Sequence, residues 1–236
     1  MKIEAFFIMY NEAEILPLVI RHYQKFCDKI TFFDNYSTDD SQIIAESMGC
    51  EVKKFGKKGE LSDQDYLDVK NNCWRGSDAD WCIVADCDEV LLFDEQYLLR
   101  TPNHKNFTII KTQGWNVYSD QMPKNNLIEI TTGYQFDNYS KSVMFNPKEI
   151  KEINYKPGAH ACNPIGNVVY SEDVLFYLLH YKNIGGVDRL LKRNQEYRNR
   201  MSYQNKKMGW GIHYYDSEAK IRQEWAERLA KSKPLL

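Results

Sequence analysis

Long apolar runs are missing from this chain of 236 residues. None approaches the roughly 20 residues that a membrane-spanning helix needs. The first residues, Met1 to Tyr10, include Glu4 and lead straight into a strand-like pattern, without the apolar stretch and small-residue cleavage site of a secretory leader. The six cysteines are scattered (27, 50, 73, 82, 87 and 162) and form no Cys-x-x-Cys pair. Zinc-ribbon spacing is therefore excluded, and reduced thiols in a cytoplasmic protein are expected. The formal net charge is only −2, which gives no reason to expect a nucleic-acid partner or an anionic membrane surface. Internal repeats, low-complexity tracts and linker-like stretches are absent too. What remains is ordinary globular composition, 43% hydrophobic and 27% charged, at a length that one domain can fill.

The most informative stretch is Trp81-Cys82-Ile83-Val84-Ala85-Asp86-Cys87-Asp88-Glu89. A buried strand is expected over Trp81 to Ala85, and it ends in three carboxylates within four residues. Burying such charges unpaired would cost on the order of several kcal/mol, and a hard divalent cation on Asp86 and Asp88 would relieve their repulsion. The plain alternative is a solvated acidic loop after a core strand.

The first third of the chain alternates strand and helix patterns. Strands are expected over Ile3 to Tyr10, Lys29 to Phe33 and Cys50 to Phe55, and helices over Asn11 to Phe26, Ser41 to Met48 and Asp63 to Arg75. That alternation implies βαβ units, and so an α/β fold with a mainly parallel central sheet flanked by helices. Beyond the acidic strand the pattern changes. Strands are expected over Phe107 to Thr112, Glu129 to Thr132 and Lys141 to Phe145. Charged amphipathic helices over Val187 to Met201 and Ser217 to Lys231 form a helical C-terminal section.

Three motifs then fall in order. Tyr10-Asn11-Glu12 follows the first strand, Asp34-Asn35-x-Ser37-x-Asp39 follows the second, and Asp80-Trp81 to Glu89 closes on Asp-x-Asp-Glu. The series resembles the nucleotide-sugar-dependent glycosyltransferases of the GT-A fold, family two and the related ninety-two-like groups in particular, over about residues 3–92. The resemblance implies a single domain over 1–236, with a nucleotide-sugar-binding half (1–92) and an acceptor-side half (93–236). It implies transfer of a sugar, with inversion, from a UDP-sugar to a hydroxyl of a glycan or glycoconjugate, with Mn²⁺ or Mg²⁺ as cofactor.

The resemblance also implies roles for particular residues. Asp88 is expected to ligate the metal directly, and Asp86 to hold the ribose or a metal-bound water. Asp34 would bond the base or ribose, Asn11, Asn35 and Ser37 would close the uracil pocket, and Lys70 would offset phosphate charge. His160, in Pro157-Gly158-Ala159-His160, would complete the metal shell. For Asn35, Ser37 and Asp39 the competing reading is turn and capping chemistry, for Lys70 a solvated lysine, and for His160 a hydrogen-bonded structural histidine. His180 and Lys182 are further candidates of the same kind.

The catalytic base is expected at Asp120, beside Trp115 and Tyr118, with Glu172-Asp173 as the other candidate pair. Two readings from other classes remain open. Asp86-Cys87-Asp88-Glu89-Val90 also satisfies the nucleophile motif of haloacid dehalogenase-type phosphatases, and the chain could equally be a sugar- or nucleotide-binding module without turnover.

Overall fold

The computed structural model describes residues 1–101 and 106–235, and for residues 173–175 the backbone only. The chain opens with β1 (Ile3–Met9), α1 (Leu16–Tyr23), β2 (Lys29–Asp34), α2 (Ser41–Ser47), β3 (Glu51–Lys54), α3 (Asp63–Asn72) and β4 (Trp81–Asp86). It continues through β5 (Glu89–Leu92), α4 (Glu95–Arg100), β6 (Ile109–Ser119), β7 (Thr132–Gln135), β8 (Met144–Phe145), β9 (Ile150–Glu152), β10 (Ile165–Gly166) and β11 (Tyr170–Ile184). The last elements are α5 (Val187–Arg200), α6 (Tyr203–Met208), α7 (Glu218–Lys231) and β12 (Lys233–Pro234).

The main sheet runs β12-β7-β6-β8-β4-β1-β2-β3, with β11 joined to β6 and β5 joined to β11. Neighbours β3, β2, β1 and β4 are parallel, as the alternating pattern predicts, and the longest ladders of the whole sheet are parallel. Antiparallel pairing enters through β5, β7, β8 and β12. The result is an α/β fold with a mostly parallel central sheet flanked by helices, and α5 to α7 form the helical C-terminal section.

Central position explains the sequence of the first strands. β1 lies between β2 and β4 and is buried along its full length, so apart from Glu4 it reads as apolar residues without alternation. Helix α1 packs Leu16, Leu18, Val19, Ile20 and Tyr23 onto that face.

The helix starts later than Asn11, where sequence periodicity places it. Asn11 has φ +52°, and the backbone N–H groups of Glu12 and Ala13 donate to Ser41 Oγ and Asp39 Oδ2 at 2.8 and 3.1 Å. Those bonds tie the loop after β1 to the loop after β2, leaving Pro17 in the first turn of a shorter helix.

Later elements differ more from expectation. Leu127–Glu129 is a single helical turn, and the strand expected there begins at Thr132. Strand β6 runs well past Thr112 to Ser119. At its centre Gly114 is required by close approach, since a Cβ there would lie 2.1 Å from the Tyr139 carbonyl carbon. The fifteen-residue β11 runs parallel to β6. Between the pairs His180–Asn116 and Asn183–Tyr118 it carries one more residue than its partner, a β-bulge. No helix among the described residues is long and apolar enough to cross a membrane.

Candidate active site

Parallel pairing sets the carboxyl ends of β1, β2 and β4 on one edge of the sheet: Ile8 lies opposite Asp86, and Met9 opposite Asp34. This edge is where ligands settle in open α/β sheets. A cleft of about 470 Å³ opens there, lined by Tyr10 and Glu12 after β1, Asp63, Tyr66 and Lys70 on α3, Asp86 and Asp88 after β4, Lys141, His160, His180 and Lys182 on β11, and Arg193 and Tyr197 on α5.

The chain turns at Cys87 and Asp88 into β5, so the three acids of the motif point to different partners. Asp86 Oδ1 takes Lys70 Nζ at 2.7 Å, with Lys141 Nζ 3.7 Å from Oδ2. Glu89, only 1% exposed, pairs with Lys141 and accepts the Asp86 backbone N–H at 3.0 Å. Asp88, 4% exposed, accepts Arg193 Nη2 at 3.0 Å and has His180 Nε2 3.5 Å away. The same Arg193 nitrogen reaches Glu12. Each acid of the motif thus has a cation of its own, which is how three carboxylates sit close together without prohibitive repulsion.

The titration of these groups follows. Burial opposes charge on Asp86, but Lys70 and Lys141 outweigh it and hold the carboxyl below the usual range. Burial opposes charge on Asp88 as well, but His180, Arg193 and Lys182 together hold it well below the usual carboxylate range. Burial keeps His180 itself below the usual imidazole range. Lys141 is buried too, yet Glu89 and Asp86 push it above the ordinary lysine value. Glu12 goes the other way, pushed up to about 7 by burial that Arg193 only partly offsets. Lys182 has no carboxylate within ion-pair distance among the described residues. It lies over the Tyr214 ring, 4.9 Å from the centroid, and is pulled down to about 8 by burial and by the like charge of Arg193.

Of the residues expected from sequence, the structure brings Asp86, Asp88, Lys70 and His160 to this cleft. Lys70 is not a solvated lysine, being 4% exposed and bonded to Asp86. His160 lines the cleft with its Nδ1 donating to the Asn138 carbonyl at 2.7 Å, which leaves Nε2 with the lone pair. Gly158 permits this approach: at φ +73° it has no Cβ, which would otherwise meet the imidazole at 2.6 Å.

The structure does not bring Asn11, Asp34, Asn35 and Ser37 into the lining of the cleft. Asp34 is wholly buried, bonded to Lys54 and accepting both the backbone N–H and the hydroxyl of Ser37, so its carboxylate is not open to a base or ribose. Asn35 bonds Phe55 and Arg200, and Asn11 accepts the Thr38 N–H at 2.8 Å. These side chains spend their hydrogen bonds on joining two loops, which is the turn chemistry weighed against binding above.

Asp120 lies just past β6, outside the lining of this cleft, and its Oδ1 accepts Trp225 Nε1 at 3.1 Å. Glu172 is exposed and does not line the cleft either, and the side chain of Asp173 lies outside the described residues.

Among the described residues no three His, Cys, Asp or Glu side chains are grouped to hold a metal ion. Asp86 and Asp88 nevertheless fit one, because Mg²⁺-like ions take one or two carboxylates and complete their shell with water and substrate phosphates. Charge neutralisation by Lys70, Lys141 and Arg193 makes this a place for an ion that arrives with an anionic ligand, rather than a closed structural site.

No protein-family model matches the chain. Among solved structures, glucosyl-3-phosphoglycerate synthase from Mycobacterium tuberculosis with Mn²⁺, UDP and glucosyl-3-phosphoglycerate aligns at 17% identity and a TM-score of 0.34, covering 48% of this chain and 44% of that one. The same enzyme with UDP-glucose and phosphoglyceric acid aligns at 16% identity, again with a TM-score of 0.34, over 48% of this chain and 43% of that one. Both superpositions are too partial to bear on function. Two curated relatives share 31% and 32% identity with 45% of this chain, and the matches span only 35% and 37% of their own lengths. Both are described as uncharacterized glycosyltransferases, one from Rickettsia bellii and one from Rickettsia felis, and it is to these that the chain shows similarity at the level of sequence.

Proposed function

We propose that this chain is a glycosyltransferase domain of GT-A type that moves a sugar from a nucleotide-sugar donor, a UDP-sugar, to a hydroxyl of a glycan acceptor with the help of Mn²⁺ or Mg²⁺. The observation that carries the reading is the charge layout of the cleft: Asp86 and Asp88 at the mouth of β4, each on a cation, with Lys182 in the same space and without a carboxylate partner among the described residues. A nucleoside diphosphate needs both signs. Asp86 and Asp88 would hold a divalent ion, which would supply positive charge toward a diphosphate, and the Lys182 ammonium fits a phosphate oxygen. Sequence similarity to two proteins named glycosyltransferases, and the motif order from Asn11 to Glu89, support the same reading. Inversion of configuration is retained from the resemblance.

In this reading the ion, when bound, neutralises the charge that develops on the departing diphosphate. The chain's own residues do the rest. Asp88 and Asp86 hold the ion's side of the cleft, and Lys70 and Lys141 fix Asp86 in place. Lys182 meets a phosphate oxygen, while Tyr66 and Tyr197 wall the space beside them. His160 offers Nε2 from the opposite rim.

The test is calorimetric titration of UDP into the folded protein with and without Mn²⁺, repeated on Asp88→Asn. Expected are binding that requires the metal and a loss of at least about tenfold, or 1.4 kcal/mol, in the variant. UDP affinity indifferent to Mn²⁺, or no binding by a folded protein, would overturn the reading.

A further inference from the structure

A second cleft of about 380 Å³ opens beside the first, between β6, β7, β11, α5 and α7. Tyr139, Lys182 and His213 line both, so a molecule in one meets a molecule in the other. Aromatic rings form one wall. Tyr118 packs edge-on to Trp225 with centroids 5.3 Å apart and stacks on Tyr134 at 5.8 Å, and Phe136 meets Tyr134 edge-on at 6.3 Å. Asp120 fixes this wall through its bond to the Trp225 indole.

Amides supply the polar groups. Asn183 Nδ2 donates to Asn116 Oδ1 at 2.8 Å, and Asn116 Nδ2 donates to the Tyr134 hydroxyl at 3.3 Å. Asn194 is 5% exposed, and its side-chain oxygen has no hydrogen-bond partner among the described residues. A buried acceptor left in that state is destabilising, and a ligand hydroxyl would relieve it. The acids are already matched: Glu224 pairs with Arg228 and Asp216 with Lys220, each at 2.8 Å. A purely apolar ligand would leave the Asn194 oxygen stranded, and an ionic ligand of either sign finds no excess of opposite charge, because the lining sets Glu224 and Asp216 against Arg228 and Lys182.

From this lining we infer that the second cleft is the acceptor subsite and that it takes a neutral saccharide, one ring face against the aromatic wall and its hydroxyls on the three asparagines. The word acceptor rests on the transferase reading of the first cleft; the recognition of a neutral sugar does not.

The experiment is saturation-transfer NMR on the full chain, with and without UDP and Mn²⁺. The probes are methyl glucoside, methyl galactoside and methyl N-acetylglucosaminide, with methyl glucuronide as the anionic comparator. Two variants accompany the wild type: Phe136→Ala, at a ring already 39% exposed, and Asn194→Leu, which removes the unpartnered amide at similar volume. The neutral glycosides are expected to saturate, with signals reduced at least about threefold in both variants while UDP affinity stays within about twofold. Absence of saturation by every neutral glycoside, signals unchanged in both variants, or saturation by the glucuronide alone would overturn the inference. Sugar saturation in a protein that binds no UDP would overturn the acceptor assignment and the first cleft's reading with it.

Discussion

Arg193 donates to Asp88 at 3.0 Å across 105 residues of sequence, and the same nitrogen also serves Glu12. A single guanidinium therefore neutralises the turn after β4 and the loop after β1 together. Replacement by glutamine leaves Asp88 buried beside a histidine that burial keeps below its usual pKa. Breaking a buried pair on one side costs about 3–5 kcal/mol, so Arg193→Gln is expected to lower the melting temperature markedly. Because the stranded carboxylate is then open to another cation, Mn²⁺ without nucleotide should restore part of that loss, and more of it than it adds to the wild type. Thermal unfolding with and without Mn²⁺ checks both statements. A variant as stable as the wild type would show that the pair does not hold the cleft together.

Glu12 sets a pH dependence of defined sign. Its carboxyl is raised from an ordinary value near 4.5 to about 7 in the folded chain, so the fold binds that proton more tightly than the unfolded chain does. Its contribution is therefore complete below about pH 4.5 and is lost as pH rises through 7, by on the order of 3 kcal/mol at most. Asp88, held low, acts in the opposite sense and only in acid, where stability falls with falling pH below about 4. The two windows do not overlap. Urea unfolding at pH 5, 6, 7 and 8 should show a decline in the wild type that is absent in Glu12→Gln.

Lys182 trades stability for binding. Its ammonium is held down to about 8 without a carboxylate partner among the described residues, which means that the charged form is destabilised in the empty cleft at neutral pH. Lys182→Met is expected to raise stability at pH 7 by on the order of 2 kcal/mol and to weaken UDP binding about tenfold. Denaturant melts and calorimetry on the same preparation measure the two effects. A variant that loses stability would show that the contact with the Tyr214 ring outweighs the cost of burying the charge.

How far the sequence carried can be read from individual residues. Strands β1, β2 and β4 were legible because they lie in the middle of the sheet and are written as predominantly apolar runs, Ala5 to Met9, Ile30 to Phe33 and Trp81 to Ala85 among them. The cleft followed from them, because the carboxyl ends of parallel strands share one edge. Strand β11 was missed: its apolar residues are interleaved with Glu172, His180 and Lys182, and its partner β6 lies some sixty residues earlier. Arg193 was missed because Val187 to Met201 reads as a charged surface helix. The signal available was the spacing Arg193, Tyr197, Arg200, one stripe of that helix, which turns toward the cleft and the loop after β2. The bond from Trp225 to Asp120 was not legible, because the two lie 105 residues apart and nothing local announces the contact.

The extra residue in β11 has a consequence for how the two clefts relate. In a regular strand neighbours face opposite sides, yet Lys182 and Asn183 both line the second cleft while His180 and Lys182 line the first. The bulge between His180 and Asn183 makes this possible by shifting the alternation by one step. Loss of a single residue there would leave His180 beside Asp88 and turn Asn183 to the far face. Recognition in the second cleft is thus separable from the acidic machinery by the smallest deletion that keeps a gene in frame, one codon.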